Sequence, residues 1–155
     1  MMKISDTMQK IGENAKSASQ ILRRIPSKKK NEALSFVNLA ISNNKNVIIE
    51  ENEKDIEFAL SKGLSDSMLD RLYINESRLN GIMASLENII ALPDPVSTIV
   101  DQFLRPNGLK IKKVRTPLGV IGVIFESRPN VFVDAGALCF KSGNASILRC
   151  GSESY

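Results

Sequence analysis

Two stretches constrain this chain most: Thr116-Pro-Leu-Gly-Val-Ile-Gly-Val-Ile-Phe-Glu-Ser-Arg-Pro-Asn-Val131 and, shortly after, Lys141-Ser-Gly-Asn-Ala-Ser-Ile-Leu-Arg149. Residues 120–125 form an apolar, β-branched run introduced by Pro117 and Gly119, the pattern of a strand buried in a parallel sheet. Pro129 biases Arg128 away from helical angles, so the chain turns there before the apolar segment 131–140 coils. Ser142-Gly143-Asn144 stops that helix, and residues 145–148 read as a second strand. Together they make one β-α-β unit, with the helix on one face of the sheet. Alone, such a unit leaves the opposite face and both strand edges uncovered, so it is expected to be part of a larger sheet.

The preceding residues divide into two regions. Residues 1–92 are patterned as helices. The clearest has Leu79, Ile82, Met83, Leu86, Ile89 and Ile90 on one stripe, after a cap at Asn75 and before the breaker Pro93. Ser27 reads as the cap of an earlier helix bearing Leu34, Val37 and Ile41. Gly63 and Ser65 separate a helix over 47–60 from a shorter one through Leu69 and Leu72. Each stripe is read as core packing. In residues 93–116 the period shifts toward two around Arg105-Pro-Asn-Gly108, which predicts a hairpin whose Asn107-Gly108 turn takes positive φ. Residues 117–155 carry the β-α-β unit.

Composition narrows the chemistry. The chain of 155 residues is 43% hydrophobic and 25% charged, as an ordinary globular domain would be. It contains no histidine, which removes Ser-His and Cys-His catalysis and histidine metal sites, and no metal is expected. Cys139 sits among Ala137, Leu138 and Phe140 as a small buried hydrophobe. Cys150, after the second strand, is more exposed but has no resolving thiol or base beside it. No signal peptide or membrane-length apolar run occurs, so a cytoplasmic location is the default expectation. The net charge is +4, densest from Arg23-Arg24 to Lys28-Lys29-Lys30. No aromatic residues interleave there, so a solvated helix end is preferred over a nucleic-acid surface. The alternating Lys110, Lys112, Lys113 and Arg115 read as the exposed face of a strand.

Several motifs go beyond periodicity. Asn52-Glu-Lys-Asp55, Gly63-Leu-Ser65, Leu69-Asp-Arg-Leu72, Ala91-Leu-Pro-Asp-Pro-Val96, Pro106-Asn-Gly-Leu-Lys-Ile-Lys-Lys-Val114, Glu126-Ser-Arg-Pro-Asn130 and Lys141-Ser-Gly-Asn144 occur in that order. In this the chain resembles the N-terminal region of the γ-glutamyl phosphate reductase (glutamate-5-semialdehyde dehydrogenase) family. The resemblance implies an α/β, aldehyde dehydrogenase-like fold: N-terminal helices, a β-hairpin used in oligomerisation, and the first β-α-β unit of a Rossmann domain, truncated here. It implies an activity in which NADPH reduces L-glutamyl 5-phosphate, through a cysteine thioester, to glutamate 5-semialdehyde for proline synthesis.

Carried over residue by residue, Asn130 stands where the superfamily places an oxyanion-stabilising amide. Its alternative role is to bridge the turn after the strand. Arg128 is a forked cation for a substrate phosphate or carboxylate. Arg149 stands where relatives direct a cation at the cofactor's adenosine ribose, and as arginine it suits the 2′-phosphate of NADP. Gly151, Ser152 and Glu153 would lie beside that ribose. Cys150 replaces the glycine common there in the family. The nucleophilic cysteine belongs to a later domain, so neither Cys139 nor Cys150 takes its place. The chain alone is therefore expected to be inactive. Three arrangements follow: a truncated product, one half of a split enzyme that docks on a separate C-terminal half, or, least favoured, a basic helical adaptor.

Overall fold

A computed structural model describes residues 4–126 and 128–151. Five helices lead: α1 (Ile4–Leu22), α2 (Ser27–Asn43), α3 (Lys45–Ser61), α4 (Asp66–Leu72) and α5 (Glu76–Ala91). An antiparallel hairpin follows, β1 (Ile99–Leu104) with β2 (Lys110–Val114), and then the expected unit, β3 (Val120–Ile124), α6 (Pro129–Lys141) and β4 (Ala145–Arg149). β3 and β4 pair in parallel, Val120 opposite Ala145 and Ile124 opposite Arg149. None of the described helices is long and apolar enough to cross a membrane.

The boundaries have local causes. The Asn75 side chain accepts from the Arg78 N–H at 2.9 Å and starts α5, whose Leu79, Ile82, Leu86 and Ile89 are all buried. Gly63, at φ 72°, ends α3, with the Leu64 N–H returning to the Ala59 carbonyl. Asn52 replaces water for the link between α4 and α5. Its buried side chain donates to the Leu72 carbonyl at 3.0 Å and accepts from the Ile74 N–H at 2.6 Å. Ser27 does not cap α2: the N-cap is Pro26, extended at φ −62°, and Ser27 is the first helical residue. Proline already holds the φ needed to enter a helix, so no side-chain cap is required there. In the hairpin only Gly108 takes positive φ, at 81°, whereas Asn107 does not. Arg105 and Leu109 close a three-residue loop, and the Asn107 side chain instead accepts from the Leu109 N–H.

The core lies where α2, α5 and α6 meet, around Leu34, Leu86, Ile89 and Ala137, with Ile41, Ile90, Val133 and Phe140 packed against it. β4 contacts α6 and also α1. Gly136 of α6 faces Leu148, so strand alternation turns Ala145 and Ile147 to the other side, where α1 lies. The expectation of a wholly uncovered second face is thus corrected: α1 shields β4, its Ser19 buried and its Ala15 and Leu22 half-buried. α1 also reaches β3, whose corresponding face stays open toward its carboxyl end, with Ile124 88% exposed. The first turns of α1 are open too, since Ile4, Met8 and Ile11 continue the same stripe and are exposed.

The basic cluster after α1 also departs from the sequence reading. Lys30 is buried, pairs with Asp94 and donates to the Lys141 carbonyl at 3.0 Å. Lys141, also buried, donates to Asn31 Oδ1 at 2.5 Å and to the Ile90 carbonyl at 2.8 Å. Burial alone would expel these ammonium groups; one carboxylate and three oxygen acceptors hold them in. Arg23, Arg24, Lys28 and Lys29 remain exposed, but losing Lys30 to the interior breaks the continuous basic stripe an adaptor would need.

Candidate active-site cleft

Pro129 opens α6 and holds Arg128 extended, at φ −126° and ψ 105°, as its N-cap. From that start, Asn130 and Asp134 fall four residues apart, on one helical face. Across from them, α5 presents Arg78, Gly81, Ile82 and Ser85, again at three- and four-residue spacing. α4 and its exit contribute Asp70, Arg71, Tyr73 and Ile74. These surfaces, with Arg128 and Pro129, enclose a cleft of about 620 Å³. Gly81 keeps it open: no heavy atom lies within 4 Å of where its Cβ would stand.

The charges are arranged unevenly. Arg71 is engaged by Glu126 at 2.8 Å. Arg78 is engaged by the Asp70 carboxylate at 2.8 Å, by the Tyr73 carbonyl at 2.8 Å and by the Asp70 carbonyl. Arg128 is exposed and enters no ion pair among the described residues. Asn130 is exposed, and its side-chain amide likewise makes no hydrogen bond among the described residues. Asp134 is half-buried and accepts a hydrogen bond from Ser85 Oγ at 2.6 Å.

Arg128 and Asn130 therefore meet in one cleft, and Arg149 and Gly151 lie elsewhere. Arg149 ends β4, exposed at the carboxyl end of both parallel strands, its carbonyl accepting from the Phe125 N–H at 3.0 Å. Ser152 and Glu153 lie outside the described residues. Cys150 lines a separate, largely apolar cleft with Val47, Ile48, Phe125 and Phe132, and Arg128 and Pro129 form the wall between the two clefts. Cys139 is buried, and loss of water pushes its thiol pKa up, as suits a packing role. Sequence reasoning missed Asp134, Ser85 and the paired arginines. Asp134 had a local signal in its spacing from Asn130; its partner Ser85, 49 residues away, had none.

No family model matches the chain. Individual relatives do. It is 50% identical over 145 residues to gamma-glutamyl phosphate reductase of Rhodospirillum rubrum, covering 94% of this chain and 34% of that protein. The same-named protein of Moorella thermoacetica is 46% identical over 154 residues, covering 99% of this chain and 37% of the relative. Among solved structures, gamma-glutamyl phosphate reductase of Thermotoga maritima superposes with a TM-score of 0.89 at 37% identity, covering 92% of this chain and 34% of that one. The Saccharomyces cerevisiae enzyme superposes with a TM-score of 0.91 at 35% identity, covering 99% and 38%.

The chain is a homologue of the N-terminal portion of gamma-glutamyl phosphate reductase. It spans about a third of the length of the relatives it matches. The reductase-like motifs now divide by physical role. Asn52, Lys141, Gly143 and Asn144 are buried and hold segments together. The Asn144 side chain accepts from the Gly119 N–H at 2.8 Å, tying the end of α6 to the start of β3. Leu69-Asp-Arg-Leu72 and Arg-Pro-Asn at 128–130 present polar groups to the cleft, and of these Asp70 and Arg71 are held in ion pairs whereas Arg128 and Asn130 are not.

Proposed function

We propose that this segment supplies the substrate-facing arginine and the oxyanion-stabilising amide of an NADPH-dependent reduction of L-glutamyl 5-phosphate to glutamate 5-semialdehyde. The observation that carries the reading is the convergence of Arg128 and Asn130 on one cleft in a chain homologous to the reductase. Arg128 offers the phosphate two parallel donors and a charge that no other described residue neutralises. The Asn130 amide donates to the carbonyl oxygen as it gains charge; a neutral, positioned donor favours the tetrahedral state over the ground state. Bound NADPH supplies the hydride. The end of β4 suits that cofactor because Arg149 places an exposed, permanent cation at the carboxyl edge of a parallel pair, where it can meet the 2′-phosphate. Gly151 lets the backbone approach the ribose, with Ser152 and Glu153 as its polar neighbours.

The nucleophilic cysteine comes from polypeptide outside these residues, and the open face of β3 and the exposed turns of α1 are surfaces for it to cover. The hairpin, with Val100 and Leu104 exposed, is the self-association surface of a homo-oligomer. A cytoplasmic setting suits an enzyme that uses NADPH and free thiols.

The test is complementation. The 155-residue chain alone should give no NADPH-dependent turnover; mixed with the remaining two-thirds of the Rhodospirillum rubrum relative, it should give turnover, measured in either direction. Asn130→Ala in the complemented enzyme should lower kcat by roughly a hundredfold or more. Turnover by the chain alone, failure of the two parts to copurify, or an Asn130→Ala enzyme of normal kcat would each refute the proposal.

A further inference from the structure

Asp134 is the acidic group in the cleft that enters no ion pair among the described residues. Arg71 and Arg78 are occupied by Glu126 and Asp70, and among the described residues Asp134 has the Ser85 hydroxyl as its hydrogen-bond partner and no ion pair. An ionised carboxylate offers about four acceptor sites over its two oxygens, and the hydroxyl takes one. Ser85 fixes the direction of Oδ1 and leaves Oδ2 for a donor in the cleft.

The spacing identifies the donor. Asn130 and Asp134 are one turn apart on α6, roughly 6 Å along its axis at about 1.5 Å per residue. In an extended glutamyl chain four bonds separate the reacting δ-carbon from the α-nitrogen, about 5 Å with bonds near 1.5 Å. A substrate whose carbonyl lies at Asn130 therefore carries its α-ammonium to Asp134. We propose that Asp134, oriented by Ser85, binds the α-ammonium of the substrate, so that the cleft selects an amino-acid acyl group over the same chain without its amine. This rests on reading the cleft as the substrate site.

L-glutamate and glutarate differ only in that amine, and both can be titrated into the 155-residue chain with binding read from backbone amide resonances. L-glutamate should shift the signals of Ser85, Asn130 and Asp134 and bind roughly tenfold or more tightly than glutarate, the worth of one charge-assisted hydrogen bond. Asp134→Asn should abolish the preference. Ser85→Ala, which keeps the carboxylate, should reduce the preference several-fold. Equal affinities in the wild-type chain, or an undiminished preference in Asp134→Asn, would overturn the ammonium assignment while leaving the cleft as the substrate site. If neither diacid shifts cleft resonances, both this inference and the substrate reading of the cleft fail.

Discussion

Asp94→Asn is the sharpest perturbation of the fold. The Lys30 side chain is 1% exposed and that of Asp94 15% exposed. Asparagine keeps the Oδ1 acceptor that receives the Val96 N–H at 2.9 Å, so the substitution removes charge with little change of shape. Breaking one side of a buried pair costs about 3–5 kcal/mol. Lys30 keeps the Lys141 carbonyl and Asp94 retains some contact with water, so about 2–4 kcal/mol is expected here. Urea denaturation near neutral pH would read this as a lower midpoint at unchanged slope. Adding Lys30→Met should recover part of the loss, because the buried Lys30 ammonium left without its carboxylate is then removed. The pH dependence adds a second check. Burial raises the Asp94 pKa, but the hydrogen bonds from Lys30 and Val96 and the charges of Lys30 and Lys141 outweigh it, and the net value falls below 3.8. A depressed carboxyl pKa stabilises the fold above its unfolded value and loses that contribution as pH falls through the folded value. The gap between wild type and Asp94→Asn should therefore narrow below about pH 4. A single-variant loss under about 1 kcal/mol, or full additivity with Lys30→Met, would refute the account of a coupled buried pair.

Gly143→Ala should destabilise by about 2 kcal/mol or more, since φ is 75° and a Cβ would stand 2.9 Å from Pro117 Cγ; a midpoint equal to wild type would show that the joint has slack. Of the two thiols, Cys150 should be alkylated first and Cys139 only at the rate of unfolding, because Cys139 is buried and its pKa raised; mass spectrometry of partly labelled protein reads the order, and preferential labelling at Cys139 would contradict its packing role.

Local signals in the sequence reached as far as local physics does. The Asn75 cap and the stripe through Ile89 marked α5 because both act within a few residues, and the β-α-β unit was legible because Pro129 and Gly143 act where they stand. Lys30 was misread for the same reason. In sequence it belongs to a basic run, and what buries it is a carboxylate 64 positions later together with a carbonyl 111 positions later. No helical period reports such partners. The cleft divides in the same way: Arg128 and Asn130 were visible from a motif, whereas Ser85 joins Asp134 only once α5 packs on α6.

The distribution of buried polar groups explains why the homologous motifs extend well beyond the cleft. Lys30, Asp94 and Lys141 lie on α2, on the link after α5 and at the end of α6, so one charge network fixes three segments. Gly143 meets Arg23, Val96 and Pro117, adding the end of α1 and both flanks of the hairpin to the same joint. The buried core of apolar side chains is small, and apolar packing is non-directional; it would tolerate α6 sliding along α5 by part of a turn. The hydrogen-bonded joint does not, since each ammonium has acceptors at fixed positions. That matters at the other end of α6, where Asn130 and Asp134 must face Ser85 and Arg78 to within an ångström for the cleft to recognise a ligand. The Lys-Ser-Gly-Asn motif at 141–144 thus sets, through the length of one helix, the register of the Arg-Pro-Asn motif at 128–130.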